Sequence, residues 1–323
     1  MASNSDTPRS DSLEVPLGIA APQTFPDGEV DLDLIQRYAT RAEELGYHSL
    51  WVVEQLIGST PTPEPVTYLT YLAAVTERIK LGSAVVIATT RNPTLLAKQL
   101  STVDVLSQGR LIVGTALGGR PWTYPLFGGP SERRVRHFTE SIGVMKALWT
   151  QERAEFKGDL WQLDGVPMSP KPVQKPHPPL WFGGRHPSGL NRAVRLADGF
   201  MGAGSTSTAQ FIDHVRTIRE ALERRQRDPA EFPISKRVYI AVDDDSDRAR
   251  QRLTEWFGSW YGRAETGAEV SVWGSVEECV EGLQEVVDAG AEMLMLNPVF
   301  DYDEHLETLM SEVGPALQAK SVA

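Results

Sequence analysis

Short apolar runs alternate along the chain with stretches whose apolar residues recur at helical spacing. Eight runs read as buried strands: residues 17–20, 50–53, 81–87, 111–115, 180–182, 199–202, 236–242 and 293–296. Between them lie amphipathic segments. Residues 32–45 place Leu34, Ile35, Tyr38, Ala42 and Leu45 on one face, and Gly46 stops the run. Residues 66–75 predict a second helix. Asn92-Pro93 opens a third, which carries Leu95, Leu96, Leu100, Val103 and Leu106 and is stopped by Gly109. Further helices are predicted over residues 132–149, after Pro187, and over 208–227, 247–260, 277–289 and 302–319.

Strands that are apolar on both faces and joined by helices should be parallel, with right-handed crossovers. Eight such units predict an α/β protein of the (β/α)8 TIM barrel class with loop insertions. An open doubly wound sheet is the alternative, but no GxGxxG follows the first strand. Residues 154–163 alternate and predict a small hairpin around Gly158-Asp159. The proline-rich residues 167–179 predict an extended surface strap rather than a linker, because the strand–helix rhythm resumes after them. Residues 1–14 are predicted to be a disordered tail and residues 15–320 one barrel domain.

A formal net charge of -11 argues against nucleic acid or an anionic membrane as the main partner. The single cysteine, Cys279, allows no intrachain disulfide and lies among apolar residues as a buried thiol. No run approaches the ~18 apolar residues of a membrane span. With no apolar secretory core near the start, the expected compartment is cytoplasmic.

Polar, glycine-rich residues follow the strands, where parallel sheets build their sites. Gly183-Gly184-Arg185-His186-Pro187-Ser188 combines bare backbone, a helix start, an Arg and a hydroxyl, which suits an anion. A tight turn is the other reading, and Gly204-Ser205-Thr206 after the next strand strengthens the first. Asp243-Asp244-Asp245 is read as a helix cap. The six histidines show no HxxxH or comparable metal-ligand spacing, and neither GxSxG nor a Walker loop is present. Lys80 and Lys236 fall at strand starts, the wrong face for a Schiff-base enzyme. Trp122, Tyr124 and Phe127, in the loop 118–130, are candidates to wall a planar ligand.

The string GSAVVIATTRNPTLLAKQLSTVDVLSQGRLIVG resembles the third-to-fourth-strand core of the bacterial luciferase-like oxidoreductases. SLWVVEQ, ESIGVMKALW with PKPVQKPHPPLWFGG, RAVRLADGFMGAG and GSVEECVEGLQEVVDAGAEMLMLNP match in order. The resemblance implies a barrel that binds FMN or the deazaflavin F420. A strand-three bulge, often with a non-prolyl cis peptide, would press on the ring and maps onto Ala84, Val85 and Val86. The phosphate contacts map onto Gly183, Gly184, Arg185 and Ser188, with Gly204 and Ser205 beside them. Asn92 and Gly118 join the cofactor set; Arg91 and Asn92 either hydrogen-bond the cofactor or cap the helix after strand three, the cap being the preferred reading. The resemblance also implies a homodimer.

Many relatives have an acidic residue and then His after strand two, whereas this chain has Glu54-Gln55. F420-dependent sugar-phosphate dehydrogenases also use a Glu after strand four, and Gly119 stands there. Gln cannot serve as a general acid or base near neutral pH. Glu54 is therefore the candidate catalytic proton carrier, or alternatively a carboxylate paired inside the barrel mouth. Hydride transfer between F420 and a small organic substrate is the leading expectation. Reduced-FMN monooxygenation is the alternative, and a non-catalytic flavin-binding barrel a lesser one.

Overall fold

A computed structural model describes residues 13–25, 28–118, 121–128 and 132–319. The predicted tail, apart from Leu13 and Glu14, and Gly119 lie outside the described residues. Leu13 packs on the core, and Glu14 accepts a hydrogen bond from the Ala319 amide at 2.9 Å.

The apolar runs form β1 (Leu17–Ala20), β2 (Ser49–Val52), β3 (Lys80–Ser83), β4 (Val86–Ile87) and β5 (Leu111–Ala116). A hairpin follows, β6 (Arg153–Lys157) and β7 (Gln162–Pro167). Then come β8 (Leu180–Gly183), β9 (Gly199–Gly202), β10 (Ile234–Val242), β11 (Val272–Gly274) and β12 (Met293–Asn297). Eight of these close a parallel ring in the order β1, β2, β3, β5, β8, β9, β10, β12, with β12 paired back to β1. The ring closes because both faces of each strand are apolar: one face packs inside the barrel and the other under the helices. The fold is a (β/α)8 barrel.

The helices are α1 (Leu32–Leu45), α2 (Pro65–Val75), α3 (Pro93–Leu106), α4 (Arg134–Thr150), α5 (Pro187–Leu196), α6 (Thr208–Arg224), α7 (Ser246–Tyr261), α8 (Ala264–Val270), α9 (Val276–Asp288) and α10 (Tyr302–Thr308). Gly46, at φ 85°, ends α1 in the left-handed conformation that glycine adopts without steric cost. The proline-rich strap is fastened to α3. The fully buried Asp104 accepts from the amides of Val173 and Gln174, at 2.7 and 3.1 Å, and from the Gln174 side chain at 2.7 Å.

Four departures from the periodicity matter. The run 81–87 is not one strand: β3 ends at Ser83, the Ala84–Val85 peptide is cis, and β4 resumes pairing with β5. Gly114 of β5 leaves room for this bulge, since a Cβ there would collide with the Ser83 carbonyl oxygen. The Ser83 hydroxyl also donates to the Gly114 carbonyl at 2.8 Å. The last predicted helix breaks after Thr308 into a π turn, Leu309–Val313, and a 3-10 turn, Gly314–Ala316. The segment 208–227 stops being helical at Arg224. Finally, α7 is not an ordinary outer helix. It packs with α8 against Tyr239 and Ala241 in a separate apolar cluster and brings Trp256 and Trp260 to the ends of β1, β2 and β12.

Ala20, Trp51, Ala84, Ile112, Trp181, Met201, Met293 and Met295 fill the barrel interior. The Trp51 and Trp181 rings lie 5.7 Å apart, and Gly18 and Gly82 leave space for the Trp51 indole. The barrel is therefore a packed core, and any ligand must sit at its rim.

Candidate active site

In a closed parallel ring the residues following every strand share one rim. Glu54 after β2, the bulge after β3, Gly118 after β5, the Gly183–Ser188 turn after β8 and Gly204 after β9 therefore all open on the same mouth.

Direct contacts tie several of them together. Glu54 Oε1 accepts from the Ile87 amide at 3.2 Å, which links the carboxylate to β4. A Cβ on Gly118, at φ 83°, would lie 2.8 Å from Ile87 Cγ2, so the chain passes close there only because that residue is glycine. A Cβ on Gly183 would lie 3.4 Å from Val85 Cγ1, so the bulge abuts the start of the Gly183–Ser188 turn. Val85 thus stands between the third and fifth strands of the ring, where a flat ring could rest.

Glu54 is buried, its side chain 1% exposed, and its Oε2 lies 2.6 Å from Arg91 Nη1. Oε1 is held by the Ile87 amide and Oε2 by the Arg91 charge, so both carboxylate oxygens are engaged. Arg91 also binds Glu64 through Nη2 at 2.7 Å. Burial pushes the Glu54 carboxyl up from 4.5 to about 7, and the Arg91 charge opposes only part of that rise. Arg91 therefore holds two carboxylates instead of capping α3. The cap is Asn92, whose Oδ1 accepts from the Thr94 and Leu95 amides at 3.0 and 3.2 Å.

The turn after β8 is open to solvent. A Cβ on Gly184 would meet nothing closer than 3.9 Å, and Arg185 and Ser188 are exposed. His186 caps α5: its Nδ1 accepts from the Ser188 amide at 3.2 Å and lies 2.8 Å from the Ser188 hydroxyl. Gly204 packs differently. A Cβ there would press on the Tyr239 ring at 2.7 Å and Arg237 Cδ at 3.3 Å. Ser205 is half-buried beside it. In the loop after β5, the Tyr124 hydroxyl donates to the Leu117 carbonyl at 2.5 Å, so that ring is core, while Trp122 is 59% exposed.

Residue patterns did not single out Gln23, Arg237, Asn297, Trp256 or Trp260, all of which line the mouth. Gln23 is buried and bridges the ends of β1 and β2 by accepting from the Val53 amide at 2.6 Å and donating to its carbonyl. One signal was legible: Lys236 and Arg237 are adjacent in a strand, so alternation must turn one of them inward. Lys236 faces out, its Nζ 6.0 Å from the Phe211 ring of α6, and Arg237 faces in. Among the described residues no His, Cys, Asp or Glu cluster could hold a metal, and no helix is long and apolar enough to cross a membrane.

The luciferase-like monooxygenase profile matches residues 15–293. The chain belongs to that family. Among its relatives, the F420-dependent glucose-6-phosphate dehydrogenase of Amycolatopsis mediterranei is 27% identical over 239 residues, covering 69% of each chain. The FMNH2-dependent dimethylsulfone monooxygenase of Pseudomonas putida is 30% identical over 235 residues, or 70% of this chain and 62% of that one. An F420-dependent secondary alcohol dehydrogenase, solved with an F420–acetone adduct, has the same fold. Its TM-score is 0.82 and its identity 21%, with 95% of this chain and 100% of that chain covered. This luciferase-like chain is an oxidoreductase whose relatives depend on F420 or on FMN.

Proposed function

We propose that this luciferase-like protein transfers hydride between F420 and a small organic substrate at the C-terminal mouth of the barrel. The observation that carries the reading is Glu54, a buried carboxyl raised to about 7 although Arg91 lies beside it, and tied to the strand-three bulge through Ile87. Reducing a carbonyl or an activated double bond needs a proton as well as a hydride, and a donor is most effective when its pKa is near the working pH.

The residues fit such a cofactor. The Ala84–Val86 bulge offers a flat wall, and Val85 abuts Gly183. The bare backbone at Gly184 with Arg185 and the α5 N-terminus suits its phosphate. When bound, F420 would supply or accept the hydride. The chain's own work is to hold the ring and the phosphate, to exclude water beneath Trp256 and Trp260, and to keep a proton on Glu54.

Reduced-FMN monooxygenation is the second reading. It is favoured by the dimethylsulfone monooxygenase, which is 30% identical. Separate fluorescence titrations with FMN and F420, followed by turnover with each reduced cofactor, decide between them. Micromolar or tighter binding of F420 with oxygen-independent turnover is expected. Binding of neither would discard the redox reading and favour neither enzyme. Leu95 and Leu106 on one face of α3 and Val173 on the strap are exposed, which supports a homodimer testable by sedimentation. The cytoplasmic location is also proposed, on the strength of the sequence.

A further inference from the structure

Arg237 is the only basic side chain among the described residues that line the cleft between Gln23, Trp256 and Asn297, on the side of the mouth formed by β1, β10 and β12. Its Nε donates to Asn297 Oδ1 at 2.7 Å, and its guanidinium lies 4.7 Å from the Tyr239 ring centroid. No carboxylate lies within ion-pair distance of it among the described residues. By contrast, Arg37, Arg41, Arg91, Arg219, Arg248 and Arg252 are all paired with acids. Arg110 and Arg227 also lack an acid, but they donate to two or more backbone carbonyls each, whereas the one side-chain hydrogen bond of Arg237 among the described residues is the one from Nε. A half-buried guanidinium that is held by an amide and a ring, but not neutralised, presents its charge to whatever enters the cavity. The other walls mix apolar and aromatic groups, Ala20, Val53 and Val299 with Trp256 and Trp260 stacked 5.7 Å apart at 17°, with the uncharged polar side chains of Gln23, Thr24 and Tyr302.

We propose that Arg237 binds the carboxylate of a small, flat organic acid, whose apolar body lies against Trp256. Asn297 is the positioning residue that fixes the guanidinium plane through Nε. A carboxylate fits better than a phosphate ester, because one cation balances a monoanion, and the cavity lining supplies no second Lys, Arg or His for a dianion. The inference names the substrate class for the reading above and rests on the mouth being the substrate site. Its test needs no cofactor and no turnover.

Benzoate, phenylacetate and their amides, benzamide and phenylacetamide, are titrated calorimetrically into the whole protein, with phenyl phosphate as the dianionic arm. Saturable binding of the acids, at least about tenfold tighter than that of the amides and weakened by salt, is expected. Arg237→Met should abolish the preference for acid over amide. Arg237→Lys, which keeps the charge and loses the fork, should retain part of it. FMN and F420 affinity should stay within about twofold in both variants, which also shows that they fold. Equal binding of acid and amide, binding of neither acid, tighter binding of phenyl phosphate, or an unchanged Arg237→Met titration would each overturn the proposal. So would loss of cofactor affinity in Arg237→Met, which would assign the guanidinium to the cofactor. Failure of the wild-type protein to bind FMN or F420 counts against the redox reading alone.

Discussion

Glu54 and Arg91 meet at 2.6 Å across the ends of the second and third strands of the barrel, yet burial holds the Glu54 carboxyl at about 7. Arg91 divides its charge between Glu54 and Glu64, so neither carboxylate has a cation to itself. If Glu54 delivers the proton, kcat/KM for substrate reduction falls as pH rises through about 7. Glu54→Gln should remove that limb and lower the rate by about 10²–10⁴-fold, measured as a pH profile of both proteins. Stability carries the same sign. The folded state keeps a proton between 4.5 and about 7 that the unfolded chain has released, so this contribution is lost as pH rises through 7. The melting temperature of Glu54→Gln relative to wild type should therefore be higher at pH 8 than at pH 4.

The bulge after β3 depends on what is missing from β5. Gly114→Ala puts a methyl group against the Ser83 carbonyl, and both atoms are locked in the sheet. The variant should lose about 1–3 kcal/mol or more in chemical denaturation. It should also bind flavin-type cofactors more weakly, because the wall at Ala84–Val86 has to move. An unchanged denaturation midpoint would show that the bulge tolerates displacement.

Arg185 is exposed beside the open Gly184 backbone at the start of α5. Arg185→Ala should weaken cofactor binding roughly tenfold at low ionic strength. The loss should shrink in high salt, because an exposed charge is screened. Equal affinity of the two proteins in low salt would place the phosphate elsewhere on the rim.

Lys236 is a buried amine between β10 and α6, donating to the carbonyls of Ala203 and Arg237 at 2.6 and 3.0 Å. Burial lowers its pKa from 10.5 to about 7. Between those values the unfolded chain holds a proton that the folded protein lacks. The penalty is full below pH 7 and fades as pH rises toward 10.5. Lys236→Met should therefore raise the melting temperature at pH 6 by roughly 2–4 °C, with a smaller gain at pH 9. The Ala203 carbonyl keeps a partner in the Thr206 hydroxyl at 2.7 Å.

Cys279 is fully buried, and its thiol is pushed up to about 12 by burial. Native protein should resist maleimide at pH 7.5, while protein unfolded in denaturant reacts within minutes. Rapid labelling of the native state would show that α9 opens readily.

The ring itself was legible in the residues. Apolar runs of strand length, helix caps such as Asn92-Pro93 and stops such as Gly46 and Gly109 are local signals, set by each segment's own sterics and burial. They were enough to indicate eight parallel strands and therefore which residues share a rim, including Glu54, Gly118, Gly183 and Gly204. Other features depend on partners far away in the chain. The division of residues 81–87 follows from the space at Gly114, and the pairing of Arg91 with Glu54 and Glu64 joins two loops, after β2 and before α3. The turn of α7 across the mouth and the unpaired guanidinium of Arg237 likewise exist only once β10, β12 and α7 are packed together. Periodicity reports which face of a segment is buried. Only the closed barrel decides what each buried group meets there, because that depends on residues brought together by the whole ring.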